Sequence, residues 1–176
     1  MTTQNAAYNS WETKWLTYLG HGGTITGVPL TGGPPDMIVN PTFTACFIRL
    51  CKSDPRSTIV YPNYFAAHGD RNSLFEPTVA EWDTYDAVLK NRFTNRWDIT
   101  GNTMSNLVDI AFPAPTGGTG VTLTHAIWCL RSADGGSGLY HYGMLVAALD
   151  DRITIPAGGG GGAPTIAAGT LIFSME

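Results

Sequence analysis

Glycine and proline break this chain so often that long regular elements have few places to fit. Its 176 residues include 21 Gly and 11 Pro, and each of these either loosens the backbone or removes an amide donor. Residues 24–41 carry Gly27, Pro29, Gly32, Gly33, Pro34, Pro35 and Pro41, which predicts an irregular arm. What lies between the breaks must therefore be short, and most of it has the pattern of strands.

Thr42 to Cys51 is rich in β-branched and aromatic residues without helix caps and predicts a buried strand, closed by the turn at Asp54-Pro55. A short strand is expected from Ile59 to Phe65, interrupted by Pro62. Further strands are expected over Leu107 to Phe112, Val121 to Leu130, Leu139 to Leu149, Ile153 to Ile155 and Thr170 to Met175. Ala133-Asp134-Gly135-Gly136 is hairpin-turn chemistry, and Asp150-Asp151 is expected to turn the chain again. Two segments have helical periodicity. From Ser10 to Leu19, Trp11, Trp15, Tyr18 and Leu19 form one stripe, with Ser10 as N-cap and Gly20-His21-Gly22-Gly23 as the stop. From Thr78 to Arg92, Thr78 and Glu81 make a capping box, and Trp82, Tyr85 and Leu89 share a face.

Strands spaced by roughly 8–12 residues suggest a sandwich or small barrel. The expected fold is thus mainly β: an antiparallel β-sandwich or small barrel with two short helices and long Gly/Pro-rich arms. One domain over residues 1–176 is expected, with a helix plus extended arm over 1–41 and a β-rich body over 42–176.

Only 14% of the residues are charged, against roughly a quarter in an ordinary soluble domain. The formal net charge is -4, and the lysines are Lys14, Lys52 and Lys90. Phosphate backbones need clustered cations, so nucleic acid is not an expected partner. No run of 18 apolar residues exists to span a membrane. Met1-Thr2-Thr3-Gln4-Asn5 lacks the basic start of a secretory signal peptide. Cys46, Cys51 and Cys129 are an odd, sparse set in apolar stretches, expected as buried free thiols in a reducing compartment. Five residues apart on a strand, Cys46 and Cys51 should point to opposite faces.

No catalytic, cofactor or metal site is expected. His21, His68, His125 and His141 form no metal-ligand spacing, although His125 and His141 lie on strands expected to pair and so to approach each other. His68-Gly69-Asp70 lacks an accompanying nucleophile elbow and is read as a polar turn. The run Ala157-Gly158-Gly159-Gly160-Gly161-Gly162-Ala163 lacks the Lys-Ser/Thr of a phosphate loop and is read as a flexible linker between strands. Asp150-Asp151 falls short of the oxygens calcium needs.

The stretch from Val121 to Trp128, the turn Ala133 to Gly136, the return strand Leu139 to Leu145 and the closing Ala168-Gly169-Thr170-Leu171-Ile172-Phe173 together resemble a family of structural proteins from tailed bacteriophages, described as tail-fibre-like or capsid decoration proteins. The insertion over Pro156 to Ala163 and the segment around Trp82 depart from that pattern. The resemblance implies a non-enzymatic virion protein, foremost a capsid decoration (cement) protein that stabilises the shell by bridging neighbouring subunits. A tail, baseplate or fibre-attachment subunit is the alternative within the same class. The implied partners are the major capsid protein or tail proteins of the same virion and further copies of the chain. The implied location is the virion, after synthesis in the host bacterial cytoplasm.

Candidate subunit contacts are Trp11 and Trp15 on the first helix, Pro34, Pro35, Met37 and Ile38 in the arm, Trp97, and Pro156, Gly160 and Pro164 around the glycine run. A reading of different class is a β-sandwich that binds host sugar, with Trp97, Trp128 or Tyr140 stacking on the ring.

Overall fold

The β-branched and aromatic runs between the breaks do become strands, and long-range pairing sets their limits. The computed structural model describes Thr13, Leu16, Thr17, Leu19, Gly20 and residues 45–57, 65–67, 75–86, 88–91, 96–131 and 140–175. Among the described residues ten strands run in order: β1 (Ala45–Cys51), β2 (Phe65–Ala67), β3 (Val88–Asn91), β4 (Trp97–Thr100), β5 (Thr103–Asn106), β6 (Ile110–Ala111), β7 (Val121–Arg131), β8 (Tyr140–Ile155), β9 (Thr165–Ile166) and β10 (Ile172–Ser174). They form a five-stranded sheet in the order β2-β8-β7-β1-β3, a three-stranded sheet β10-β5-β4 and the pair β6-β9. Every pairing is antiparallel. Among the described residues no sheet closes into a barrel, since β2 and β3 remain the edges of the largest one.

Alternation along β1 divides the interior in two. Cys46, Ile48 and Leu50 join the main buried cluster, which also takes in Trp97 and Met104 of the three-stranded sheet, Phe173 of β10, and Ile110 and Ile166 of the β6-β9 pair. Phe47 and Cys51 point the other way and pack with Phe75, Ile127 and Cys129. The two cysteines of β1 therefore lie on opposite faces, as their odd spacing requires. All three cysteines are buried, and none is in a disulfide. With both faces covered, β1 shows no polar alternation, and its one charged residue, Arg49, is buried as well.

The long β7-β8 ladder contains two irregularities. Leu123 pairs with Ile153 but His125 pairs with Ala148, so the four residues Leu149–Arg152 stand against Thr124 alone. The expected turn at Asp150-Asp151 is thus a bulge inside one continuous 16-residue strand. It also resets the facing of β7, because Leu123 and Ala126 share a cluster despite being three residues apart. Met144 is the extra residue of the second irregularity, between the pairs Trp128–Leu145 and Cys129–Gly143.

The expected helix over Thr78 to Arg92 is absent. Its capping box does form: the Thr78 N–H donates to Glu81 Oε2 at 2.8 Å, and the Glu81 N–H donates to Thr78 Oγ1 at 3.3 Å. One helical turn comes next, closed by the Trp82 N–H on the Thr78 carbonyl at 3.0 Å, and then the chain opens. Two tertiary demands outweigh propagation of the helix. Val88 to Asn91 satisfy the backbone of β1 from Ile48 to Ala45, and Trp82 and Tyr85 both bury their rings in the main core. Of the first expected helix, Thr13, Leu16, Thr17 and Leu19 are described and have helical backbone, with Leu16 and Leu19 buried. Trp11, Trp15 and Tyr18 lie outside the described residues.

The expected strand over Leu107 to Phe112 shrinks to the two residues of β6, because residues 107–109 form a bend after β5. Ahead of it lies a hairpin that the sequence pattern did not reveal. Thr100 pairs with Thr103 across a two-residue turn, where Gly101 takes a φ of +59°. Most of the expected strand over Ile59 to Phe65 lies outside the described residues, and β2 begins at its end.

Candidate functional site

Two long stretches of the chain contain no Asp, Glu, Lys or Arg, namely Ile110 to Leu130 and Ile153 to Met175. The fold brings them together. Ile110 pairs with Ile166, Val121 pairs with Ile155, and the Phe112 N–H donates to the Pro164 carbonyl at 2.8 Å. The glycine run is not a loose linker. The Gly158 N–H donates to the Gly118 carbonyl at 2.8 Å, and Gly159, at φ +72°, approaches so closely that a Cβ would stand 2.5 Å from the Thr116 carbonyl carbon. Only glycine permits that approach. The result is a defined, formally uncharged surface on which Ala111, Pro113, Thr116, Pro156, Gly160 and Ala163 are exposed.

One margin of this surface is held by residues 78–86. Asp83 accepts the Thr116 hydroxyl, the Thr116 N–H at 3.1 Å and the Thr84 N–H at 2.8 Å. The Thr116 hydroxyl foremost, with these amides, holds the Asp83 carboxyl below the usual carboxylate range. The Thr84 hydroxyl donates to the Ala114 carbonyl at 2.6 Å, and the Thr119 N–H donates to the Ala80 carbonyl at 2.8 Å. Underneath, the same segment is anchored by a buried ion pair. Arg49 Nη1 donates to both oxygens of Glu76 at 2.8 and 3.0 Å, and the Tyr85 hydroxyl donates to Glu76 at 2.9 Å. Burial opposes the Arg49 charge, but the Glu76 carboxylate beside it raises the guanidinium pKa. Burial likewise pushes the Tyr85 phenol well up. Glu76 is held by both Arg49 Nη1 and the Tyr85 hydroxyl, so these groups serve to fix the segment over the sheet.

On the opposite margin, the β8 bulge and the turn after β9 enclose a cleft of about 380 Å³ lined by Leu149, Asp150, Arg152, Thr165, Ala167 and Thr170, among others. Burial raises the pKa of both Cys51 and Cys129, which keeps them as thiols. His125 Nδ1 lies 2.8 Å from the Thr124 hydroxyl, and its Nε2 is 3.9 Å from Asp54. Among the described residues no group of three His, Cys, Asp or Glu is placed to hold a metal ion, and no helix is long and apolar enough to cross a membrane.

The expected contact residues separate into three groups. Pro156 and Gly160 are exposed and Pro164 half-buried on the uncharged surface. Trp97 is instead a core residue, 1% exposed and tilted against Phe173 with ring centroids 6.2 Å apart. Its partner Asn106 and the inward face of β4 leave it no way to the surface. Trp11, Trp15, Pro34, Pro35, Met37 and Ile38 lie outside the described residues. Of the proposed sugar platforms, Trp97 and Trp128 are both buried. His125 and His141 do not meet, because the register sets His125 opposite Ala148 and His141 opposite Arg131. His21 and His68 are outside the described residues.

Sequence reasoning overlooked Asp83 and its Thr116 partner, which are 33 residues apart and have no local signature. It also overlooked Leu107 and Ile172, two of the large apolar residues that remain exposed, at 45% and 48%. Alternation with the buried Phe173 was an available signal for Ile172. No protein-family model and no curated protein matches this chain.

Proposed function

We propose that this chain is a non-enzymatic structural subunit of a tailed-bacteriophage particle, a capsid decoration protein that bridges neighbouring shell subunits, and that its sheets form a two-layer antiparallel β-sandwich. The observation that carries the reading is the exposed, formally uncharged surface of Ala, Thr, Gly and Pro built from residues 110–124 and 153–175. Charged groups are depleted from the cores of protein interfaces because each must be stripped of water there. A surface without them suits burial against other protein. The residues that carry the phage-family resemblance, Val121–Trp128 and Leu139–Leu145, fall largely on β7 and β8, the ladder on which this surface is mounted.

Such a subunit acts by mass action. Binding only to the assembled lattice, it lowers the free energy of the shell relative to its separated capsomers. The test is the number and position of copies in purified particles, by quantitative mass spectrometry and an electron-density map. Copies close in number to the major capsid protein, seated over capsomer junctions, are expected. A handful of copies at the tail would refute decoration in favour of a tail or baseplate subunit, and absence from particles would refute both.

A further inference from the structure

We infer that the outer face of the β10-β5-β4 sheet is a two-fold contact between copies of this chain. The inference deepens the proposed function, since it names the partner that one face would meet. The register sets Ile172, Ser105 and Asp98 in one row and Ser174, Thr103 and Thr100 in the next. Trp97, Met104 and Phe173 point inward to the core, so these two rows form the outward side. Leu107 and Arg96 extend that side by one further row, with the Leu107 N–H on the Arg96 carbonyl at 2.8 Å. The face thus presents two half-exposed apolar residues, Leu107 and Ile172, among small hydroxyl side chains.

Its charges decide the partner. Among the described residues Arg96 has no ion pair, and Asp98 accepts the Thr100 hydroxyl at 3.3 Å without a cation beside it. The cation and the anion lie along one edge, on the β4 side of the apolar pair, so the patch is electrically balanced with no ion pair between them among the described residues. A two-fold contact requires a surface to be its own complement. Rotating this face onto itself sets Arg96 of one copy against Asp98 of the other and Ile172 beside Leu107. A partner of uniform charge would leave one of the two groups opposed by its own sign. Asp109 stands at the rim, where it accepts the Ala168 N–H at 2.9 Å.

The face is small. Three strands of about four residues cover roughly 13 by 14 Å, well under the ~800 Å² per partner of a stable interface. The contact is therefore weak in solution and gains strength where copies are already held side by side, as on a shell.

Sedimentation velocity of the purified full chain over a concentration series tests this. The wild type is expected to pass from monomer to dimer with rising concentration. Ile172→Asp should raise the concentration needed by about tenfold or more. Arg96→Asp and Asp98→Arg should each weaken association, whereas the double variant carrying both should restore it, because the reversed pair still meets across the axis. Circular dichroism and thermal melting confirm that each variant is folded. A wild type that stays monomeric throughout, or a double variant as weak as the singles, overturns the inference. A monomer that nonetheless coats particles would leave the proposed function standing, and a dimer absent from particles would sink that function alone.

Discussion

Replacing Asn106 by aspartate exchanges one amide for one carboxyl at a 1% exposed position, and its effect can be worked from three hydrogen bonds. Asn106 Oδ1 accepts the Leu171 N–H at 2.9 Å, while Nδ2 donates to the carbonyls of Val108 and Ala167, each at 2.9 Å. The amide orientation is set by these partners, since only oxygen can meet the N–H and only NH₂ can meet two carbonyls. Asn106→Ala should cost about 3 kcal/mol, the sum of an unmatched buried amide and two weaker carbonyl bonds. Asn106→Asp keeps the Leu171 bond and the volume, but it aims a carboxylate at two carbonyl oxygens. Two lost bonds and a desolvated charge make this about 4 kcal/mol or more at neutral pH. For a chain of this length that lowers Tm by roughly 8–16 °C.

The carboxyl introduced by Asn106→Asp also has a testable pH dependence. Burial and the facing carbonyls raise its folded-state pKa above the unfolded ~3.9. The folded variant therefore binds its proton first, and its deficit relative to wild type shrinks as pH falls through that folded value toward the unfolded one. Urea unfolding of wild type, Asn106→Ala and Asn106→Asp between about pH 7 and 4.5 measures this. An aspartate variant no weaker than the alanine variant, or a deficit constant across that range, would refute the reasoning.

Glu76→Gln should cost about 3–5 kcal/mol by stranding the buried Arg49 guanidinium, and the double variant Arg49→Met/Glu76→Leu should cost less, both read from urea midpoints. Gly159→Ala should destabilise far more than Gly160→Ala. Both glycines have positive φ, but a Cβ at 159 strikes Thr116 whereas one at 160 meets nothing within 4 Å and costs only about 1 kcal/mol in thermal melts. Burial alone would raise the Glu81 carboxyl, yet the Thr78 N–H and Lys52 hold it below 4.5, and Asp83 is likewise held below 3.8. Their stabilisation is complete above those ordinary values and is lost as pH falls through the depressed ones. Acid unfolding should therefore steepen below about pH 4.5, and Asp83→Asn should flatten part of that slope.

How far the fold could be read in advance depended on whether its cause was local. The runs at Thr42–Cys51 and Val121–Arg131 announce strands through β-branched and aromatic content, and the odd spacing of Cys46 and Cys51 announces their opposite faces. Thr78 and Glu81 announce a helix start just as plainly, and that start forms. The path of the chain beyond Trp82 is governed by the open edge of β1 and by room for Trp82 and Tyr85 in the core, neither of which is encoded nearby. The candidate surface was legible in part. The missing charges of residues 153–175 are visible at once, but the docking of Gly159 on Thr116 depends on a residue 43 positions earlier.

Composition and alternation by themselves determined that this chain is mainly β and poorly charged, because strand preference and side-chain facing act over a few residues. Tertiary structure decided which of those facings are covered. Trp97 is buried because Phe173 and the main core lie over its side of the sheet, while Leu107 and Ile172 remain exposed because none of the described residues covers theirs. The choice rests on packing between segments distant in sequence, where the burial of apolar area outweighs local preference.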